Sequence, residues 1–273
     1  MRAPRVLLAS LAALAAGLIT TAIATATDQA AVARGAGLSV TATVSTSAGS
    51  PSTRIVVRRL QGGSVVTTRV VRGAWLLPRP VRGGAPEGIA WSGSRVVLRS
   101  AGRAGRFLAV PAGRGPAVVH TIPGAARFEY DVLSPDGLRL FLAEYPPDSS
   151  LLERIRVYDL GTHVLRRQAV VDKLAGGTSM VGVPVARAVS RSGVTTYTVY
   201  EGREYPFVHV LDANAVLSIC IDLPVRSDVR RPGRWVVALD ERHQRLRATS
   251  LRLGKLFIVD LGNPQAAVTV RDA

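Results

Sequence analysis

The run "IRVYDLGTHVLRRQ", Ile155 to Gln168, alternates until Asp-Leu-Gly and then resumes, and a turn of the same design recurs along the chain. Asp159-Leu160-Gly161, Asp212-Ala213-Asn214 and Asp260-Leu261-Gly262 each follow a short strand-forming run and precede another. An Asp side chain accepts a hydrogen bond from the backbone amide two residues on, and Gly or Asn then takes a left-handed conformation that other residues resist. Each turn therefore predicts a chain reversal with Gly161, Asn214 and Gly262 left-handed. Pro111-Ala112-Gly113 and Leu60-Gln61-Gly62 are weaker copies that keep the glycine and lose the aspartate. The markers Gly62, Gly113, Gly161, Asn214 and Gly262 are spaced by 51, 48, 53 and 48 residues.

A second hairpin recurs upstream of each marker. "DVLSPDGLRLFLAEY" is the clearest copy, and its Ser134-Pro135-Asp136-Gly137 fits a type I turn. Its counterparts are "IAWSGSRVVLRS", "RAVSRSGVTTYTVY" and "VVALDERHQRLRATS", with only "LSVTATVS", Leu38 to Ser45, available in the first copy. Two hairpins per repeat make four strands, and a four-stranded period of roughly 40 to 50 residues is that of a β-propeller blade. Runs such as "FVHVL" and "LFIVD" are apolar on both strand faces, as a sheet covered on both sides requires. The predicted fold is all-β: a β-propeller of about five four-stranded blades, in a complete or incomplete ring, with a two-sheet sandwich as the structural rival.

The N-terminus is an address. Arg2 and Arg5 precede an uncharged apolar run from Val6 to Ala24, followed by Ala-x-Ala sites at Ala22/Ala24 and Ala24/Ala26. Residues 1–26 are expected to be a hydrophobic leader helix, either a cleaved signal peptide or an uncleaved membrane anchor. Residues 27–50 form a Ser/Thr/Gly/Ala-rich segment with room for a first strand, and 51–273 the propeller domain. Both fates of the leader put the body outside the cytoplasm, secreted or tethered.

The formal charge is +16, and Lys173 and Lys255 are the only lysines among 35 basic residues. Such a surface favours anionic partners such as wall polymers or lipid headgroups. Nucleic acid is not expected, because no aromatic residues interleave with the basic ones and no recognition helix is legible. Cys220 is the single cysteine, inside the apolar "VLSICIDL", and is expected to be a buried, inert thiol.

The unit from Leu133 to Val171, with "SPDG", "IRVYD" and Thr162, resembles the YVTN-type repeats of exported bacterial propellers, which are similar in shape to WD-repeat proteins. The units from Arg187 and Val236 match more loosely, and the resemblance extends from about Ile89 to the end. It implies a propeller and no particular chemistry, because this fold carries binding platforms and unrelated enzymes alike. "PEGIAWSGS", Pro86 to Ser94, is similar to the entry strand of lactonase-like propellers. In their metal-dependent members a Glu at this position points into the central channel and holds a divalent cation, which implies that role for Glu87. The Asn and Asp ligands of those relatives have no counterpart: Asn214 and Asn263 fall in hairpin turns. The alternative for Glu87 is a carboxylate bonded to backbone.

Other chemistry is sparse. His120, His163, His209 and His243 fall at different offsets from the turn markers, so the repeat does not bring them together on a metal. "GGTSMVG" around Ser179 departs from a nucleophile elbow and reads as a loop between blades. Glu201 with Glu204, and Asp240 with Glu241, read as solvated surface charge. Tyr197, Tyr200, Tyr205 and Phe207 form the one aromatic cluster, for packing between blades or, at Tyr205-Pro206, for a ligand rim. No catalytic, cofactor-binding or metal-binding residue is assigned. The sequence is read as an exported or membrane-tethered propeller serving as a non-catalytic binding or scaffold module, with a protein or an anionic envelope component as partner and no cofactor. The competing reading is a lactonase-like or other hydrolytic propeller with its site in the central channel.

Overall fold

The computed structural model describes residues 28–273 apart from 34, 48, 82–83, 150, 175, 228, 230 and 264–267, so the leader lies outside the described residues. Every regular element described is a strand. Unit 1 comprises β1 (Asp28–Ala33), β2 (Leu38–Ser47), β3 (Ser50–Arg59) and β4 (Val65–Arg72). Unit 2 comprises β5 (Trp75–Leu76), β6 (Arg95–Ser100), β7 (Arg106–Pro111) and β8 (Val118–Thr121). Unit 3 comprises β9 (Arg127–Leu133), β10 (Arg139–Tyr145), β11 (Leu152–Asp159) and β12 (Val164–Leu165). Unit 4 comprises β13 (Met180–Val189), β14 (Thr195–Gly202), β15 (Phe207–Asp212) and β16 (Leu217–Asp222). Unit 5 comprises β17 (Trp235–Asp240), β18 (Arg245–Ser250), β19 (Lys255–Asp260) and β20 (Thr269–Asp272).

Each unit is an antiparallel meander in chain order. The strand expected at Leu38–Ser45 is β2, and β1 precedes it, so the stretch before residue 51 contributes two strands to unit 1. Units 3 and 4 merge into one eight-stranded sheet, because β11 pairs with β13 through Leu152–Val181 and Glu153–Met180.

The aspartate turns form as expected, with one correction. Asp159 Oδ1 accepts from the amides of Gly161 at 2.9 Å and Thr162 at 2.8 Å, and Asp212 Oδ1 accepts at 2.8 Å from Asn214 and Ala215. The left-handed residues are instead His163 (φ 62) and Val216 (φ 56), two positions further on. With both amides after the aspartate satisfied by its carboxylate, the chain turns in the right-handed region and the reversal falls on the residue that rejoins the strand. The Ser134–Gly137 turn closes as predicted: the Gly137 amide donates to the Ser134 carbonyl at 2.9 Å. Gly137 has φ 77, and a Cβ there would lie 2.8 Å from Ser94 Oγ of the neighbouring unit, so both backbone and packing require glycine.

Both faces of the middle units are covered. On β10, Leu140 and Leu142 pack toward unit 2 with Val97 and Phe107, while Phe141 and Ala143 pack toward unit 4 with Leu211 and Ala213. Leu140, Phe141 and Leu142 are fully buried, each worth about 1.5–3 kcal/mol of transfer free energy. Four apolar clusters join unit 1 to 2, 2 to 3, 3 to 4 and 4 to 5. Among the described residues none joins unit 5 to unit 1, and no strand pairing closes that gap. The inner edges of all five units nevertheless meet around one cavity of about 490 Å³, lined among others by Ala33, Glu87, Val132, Arg187 and Val237.

Candidate functional site

The charged residues of the cavity come from one repeated position. In units 2, 3 and 4 the innermost segment reaches its hairpin at Gly93, Gly137 and Gly193, each donating its amide to the carbonyl three residues earlier. Six residues before these glycines stand Glu87, Asp131 and Arg187. The pseudo-symmetry of the fold therefore brings two carboxylates and one guanidinium to the same level. Unit 5 has Val237 at the corresponding register, since Asp240 pairs with Arg245 across its turn.

Arg187 is the centre of this group, and its side chain is only 5% exposed. It donates through Nη2 to the Asp131 carboxylate, through Nη1 to the Asp131 carbonyl at 2.6 Å, and through Nε to Thr198 Oγ1 at 2.9 Å. The Glu87 carboxylate lies 3.5 Å from Nη1. Burial opposes the Arg187 charge, but the carboxylates of Asp131 and Glu87 outweigh it and hold the guanidinium above its ordinary pKa. Burial pushes Glu87 up to about 6, and the Arg187 charge offsets only part of that rise. The Glu87 side chain is 29% exposed and lines the cavity.

A second buried group lies behind the ion pair. Glu153, fully buried on β11 where units 3 and 4 join, accepts from Tyr145 Oη at 2.7 Å and Tyr200 Oη at 2.6 Å. Burial drives its carboxyl up to about 7, and the two hydroxyls restrain the shift. Glu153, both tyrosines and Asp131 line a separate cavity of about 260 Å³. Arg187 lines the larger cavity and Asp131 the smaller, so the ion pair stands between them.

Glu87 does point into the channel, as the lactonase-like resemblance implies, but it faces a guanidinium. Its carboxylate pairs with a side chain, which also corrects the expectation of a backbone partner. Among the described residues no three His, Cys, Asp or Glu side chains are grouped to hold a metal ion. The histidines are less scattered than their offsets suggest: the His120 and His163 rings lie 4.7 Å apart, because the outer strand of unit 2 faces the β11–β12 turn of unit 3. His120 Nδ1 also lies 3.3 Å from Tyr158 Oη. His209 is buried on β15 and His243 is exposed beside Asp240.

Glu201 overturns its surface reading. It is 1% exposed and accepts from Ser227 Oγ at 2.5 Å, Trp235 Nε1 at 2.7 Å and the Gly233 amide at 3.1 Å, tying unit 4 to unit 5. Its neighbour Glu204 is exposed. Asp240 pairs with His243, and Glu241 with the Arg191 side chain at 3.3 Å. Tyr200 and Phe207 stack with centroids 5.0 Å apart, whereas Tyr205 is 38% exposed under the Arg226 guanidinium. Ser179 lies in the exposed loop before β13. Cys220 is half-buried, and burial together with the Asp172 carboxylate pushes its thiol well above the usual range. Sequence reading missed Asp131, Arg187, Glu153 and Tyr145. The shared offset of Glu87, Asp131 and Arg187 from their hairpin glycines was the available signal.

No known protein family and no curated protein matches the sequence. Solved propellers resemble the structure. The propeller of Dos1 is 9% identical over 91% of this chain and 59% of its own length, with a TM-score of 0.53. TolB from Acinetobacter baumannii is 14% identical over 85% of this chain and 53% of its own, at 0.45. The β-propeller domain of Cps50 (Swd1) from Myceliophteria thermophila is 11% identical over 92% and 70%, also at 0.45. The chain thus spans about three-fifths of the Dos1 propeller's length. The Dos1 likeness and the meanders gathered around one cavity define a β-propeller.

Proposed function

We propose that the chain is an exported or membrane-tethered, YVTN-like propeller of five blades that serves as a non-catalytic binding or scaffold module at the cell envelope. The observation that carries this reading is the Glu87–Arg187–Asp131 group. In a hydrolytic propeller of the lactonase-like kind, Glu87 would share a cation with other oxygen ligands. Here a guanidinium from the same chain takes the opposing position, and each of its donor edges faces an acceptor. The leader with Arg2, Arg5 and its Ala-x-Ala sites supports export.

The purified protein is to be incubated with lactones and aryl esters, with and without Ca²⁺. Rates at the buffer background are expected, together with a melting midpoint that Ca²⁺ leaves in place. Turnover that Glu87→Gln abolishes would replace this reading with the hydrolytic one. Fractionation of cells producing the full chain tests the address, and recovery in the cytosol would reject export.

A further inference from the structure

Two of the buried arginines of this fold are matched by carboxylates. Arg187 has Asp131 and Glu87, and the largely buried Arg156 lies 2.9 Å from Glu144. A cleft of about 410 Å³ beside the channel gathers arginines without such partners, being lined by Arg79, Arg99, Arg103 and Arg106. Unit 2 supplies all four arginines, and unit 3 supplies Phe128, Glu129 and Tyr130. Arg79 lies in the excursion after β5, Arg99 on β6, Arg103 in the following turn and Arg106 at the start of β7. None of the four is ion-paired among the described residues. Arg106 lies over the Trp75 ring, 5.3 Å from its centre. The acid on the rim, Glu129, is engaged by Arg127 at 2.5 Å. Phe107, Phe128 and Tyr130, all buried, form an apolar floor.

Arg79, Arg99 and Arg103 set three permanent charges around one concavity, where they repel each other and a low-dielectric floor concentrates their field, while Arg106 is turned onto Trp75. An entering anion removes that repulsion. A single carboxylate would answer one guanidinium, whereas the oxygens around phosphorus accept from several guanidinium forks at once. The volume is also that of a small-molecule site. We infer that this cleft binds a phosphate-bearing anion, of the class of pyrophosphate and phosphate esters. The inference deepens the binding-module reading and rests on it only for where the ligand is met.

The probe is pyrophosphate, titrated calorimetrically into the full chain at low ionic strength. Two double variants of equal net charge accompany the wild type: Arg99→Gln with Arg103→Gln in the cleft, and Arg245→Gln with Arg247→Gln on the exposed face of unit 5. All four residues are exposed, and unchanged melting midpoints verify that both variants fold. Saturable binding is expected in the wild type, weakened at least about tenfold in the cleft variant and unchanged in the other. No saturable binding, or equal weakening in both variants, overturns the site and leaves a diffuse positive field. Given a saturable site, phosphatidylglycerol vesicles separate its sources. Vesicle binding that pyrophosphate displaces assigns a lipid headgroup, and indifference to vesicles assigns a soluble phosphate ester. Failure of the titration leaves the non-catalytic reading intact, and ester hydrolysis would overturn that reading without touching the titration.

Discussion

Arg187 donates to both the carbonyl and the carboxylate of Asp131, so one guanidinium fixes β13 of unit 4 against β9 of unit 3 across the channel. Glu87, 3.5 Å from the same guanidinium, extends the tie to unit 2. The arrangement holds three units with a single side chain whose charge is balanced locally.

Replacing that side chain with an apolar one of similar length should be costly. Arg187→Met leaves Glu87 and Asp131 facing each other with no cation between them. Breaking a buried pair in this way costs about 3–5 kcal/mol. Urea unfolding should show a loss of that order, with Arg187→Lys recovering part of it because an ammonium cannot reproduce the fork. A loss within the error of the extrapolation would mean that the pair does not hold the units together.

Glu153 predicts a pH signature. Its carboxyl, ordinarily near 4.5, titrates at about 7 in the fold, so the folded state binds the proton more tightly than the unfolded chain. The stabilisation is complete below about 4.5 and is lost as pH rises through about 7, on the order of 3 kcal/mol in all. His120 and His209, both held near 4 by burial, act in the opposite sense below about 6.5, so the Glu153 signature is read most cleanly above that pH. Glu153→Gln keeps an acceptor for one tyrosine and a donor for the other. It should melt with the wild type at pH 4.5 and above it at pH 8; parallel curves would reject the assignment.

Glu201→Ala should loosen unit 5 from unit 4. It leaves Trp235 Nε1, the Gly233 amide and Ser227 Oγ without their acceptor, at about 1–3 kcal/mol for each buried group that finds no water. Trp235 fluorescence should then report a transition at lower urea than the global one. Coincident transitions would show that the contact does not govern this interface.

Cys220 should resist alkylation in the native state. Burial and the nearby Asp172 carboxylate keep its thiol protonated, and the thiolate is the nucleophile. Iodoacetamide should label the urea-unfolded protein at least about tenfold faster than the folded one. Equal rates would mean that the residue is open and ionisable.

What could be read from the sequence was whatever is encoded over a few residues. The Asp159, Asp212 and Ser134 turns each close within five residues, so their positions follow from local chemistry alone. Their left-handed residues, His163 and Val216, were misplaced because residue preference singled out glycine and asparagine, while the aspartate's two amide bonds set the conformation. Glu201 gave no local sign of burial, since its acceptors' partners Ser227, Gly233 and Trp235 belong to the stretch leading into the next unit and its first strand. The channel group lies between these cases. The repeat places Glu87, Asp131 and Arg187 at one offset, but only the circular arrangement of units makes equal offsets neighbours.

The absence of an apolar cluster between units 5 and 1, among the described residues, makes this molecule energetically a line bent into a circle. In such an array stability is mainly a sum of nearest-neighbour couplings, to which the Glu87–Arg187 pair adds one contact from unit 2 to unit 4. Units 2, 3 and 4 each have two such couplings, and the terminal units have one. Amide protons in β10 should therefore exchange only with complete unfolding, while those of β1 to β4 and β17 to β20 escape through fraying from either end. On that expectation the two ends of the chain open first, and the middle units hold the fold until last.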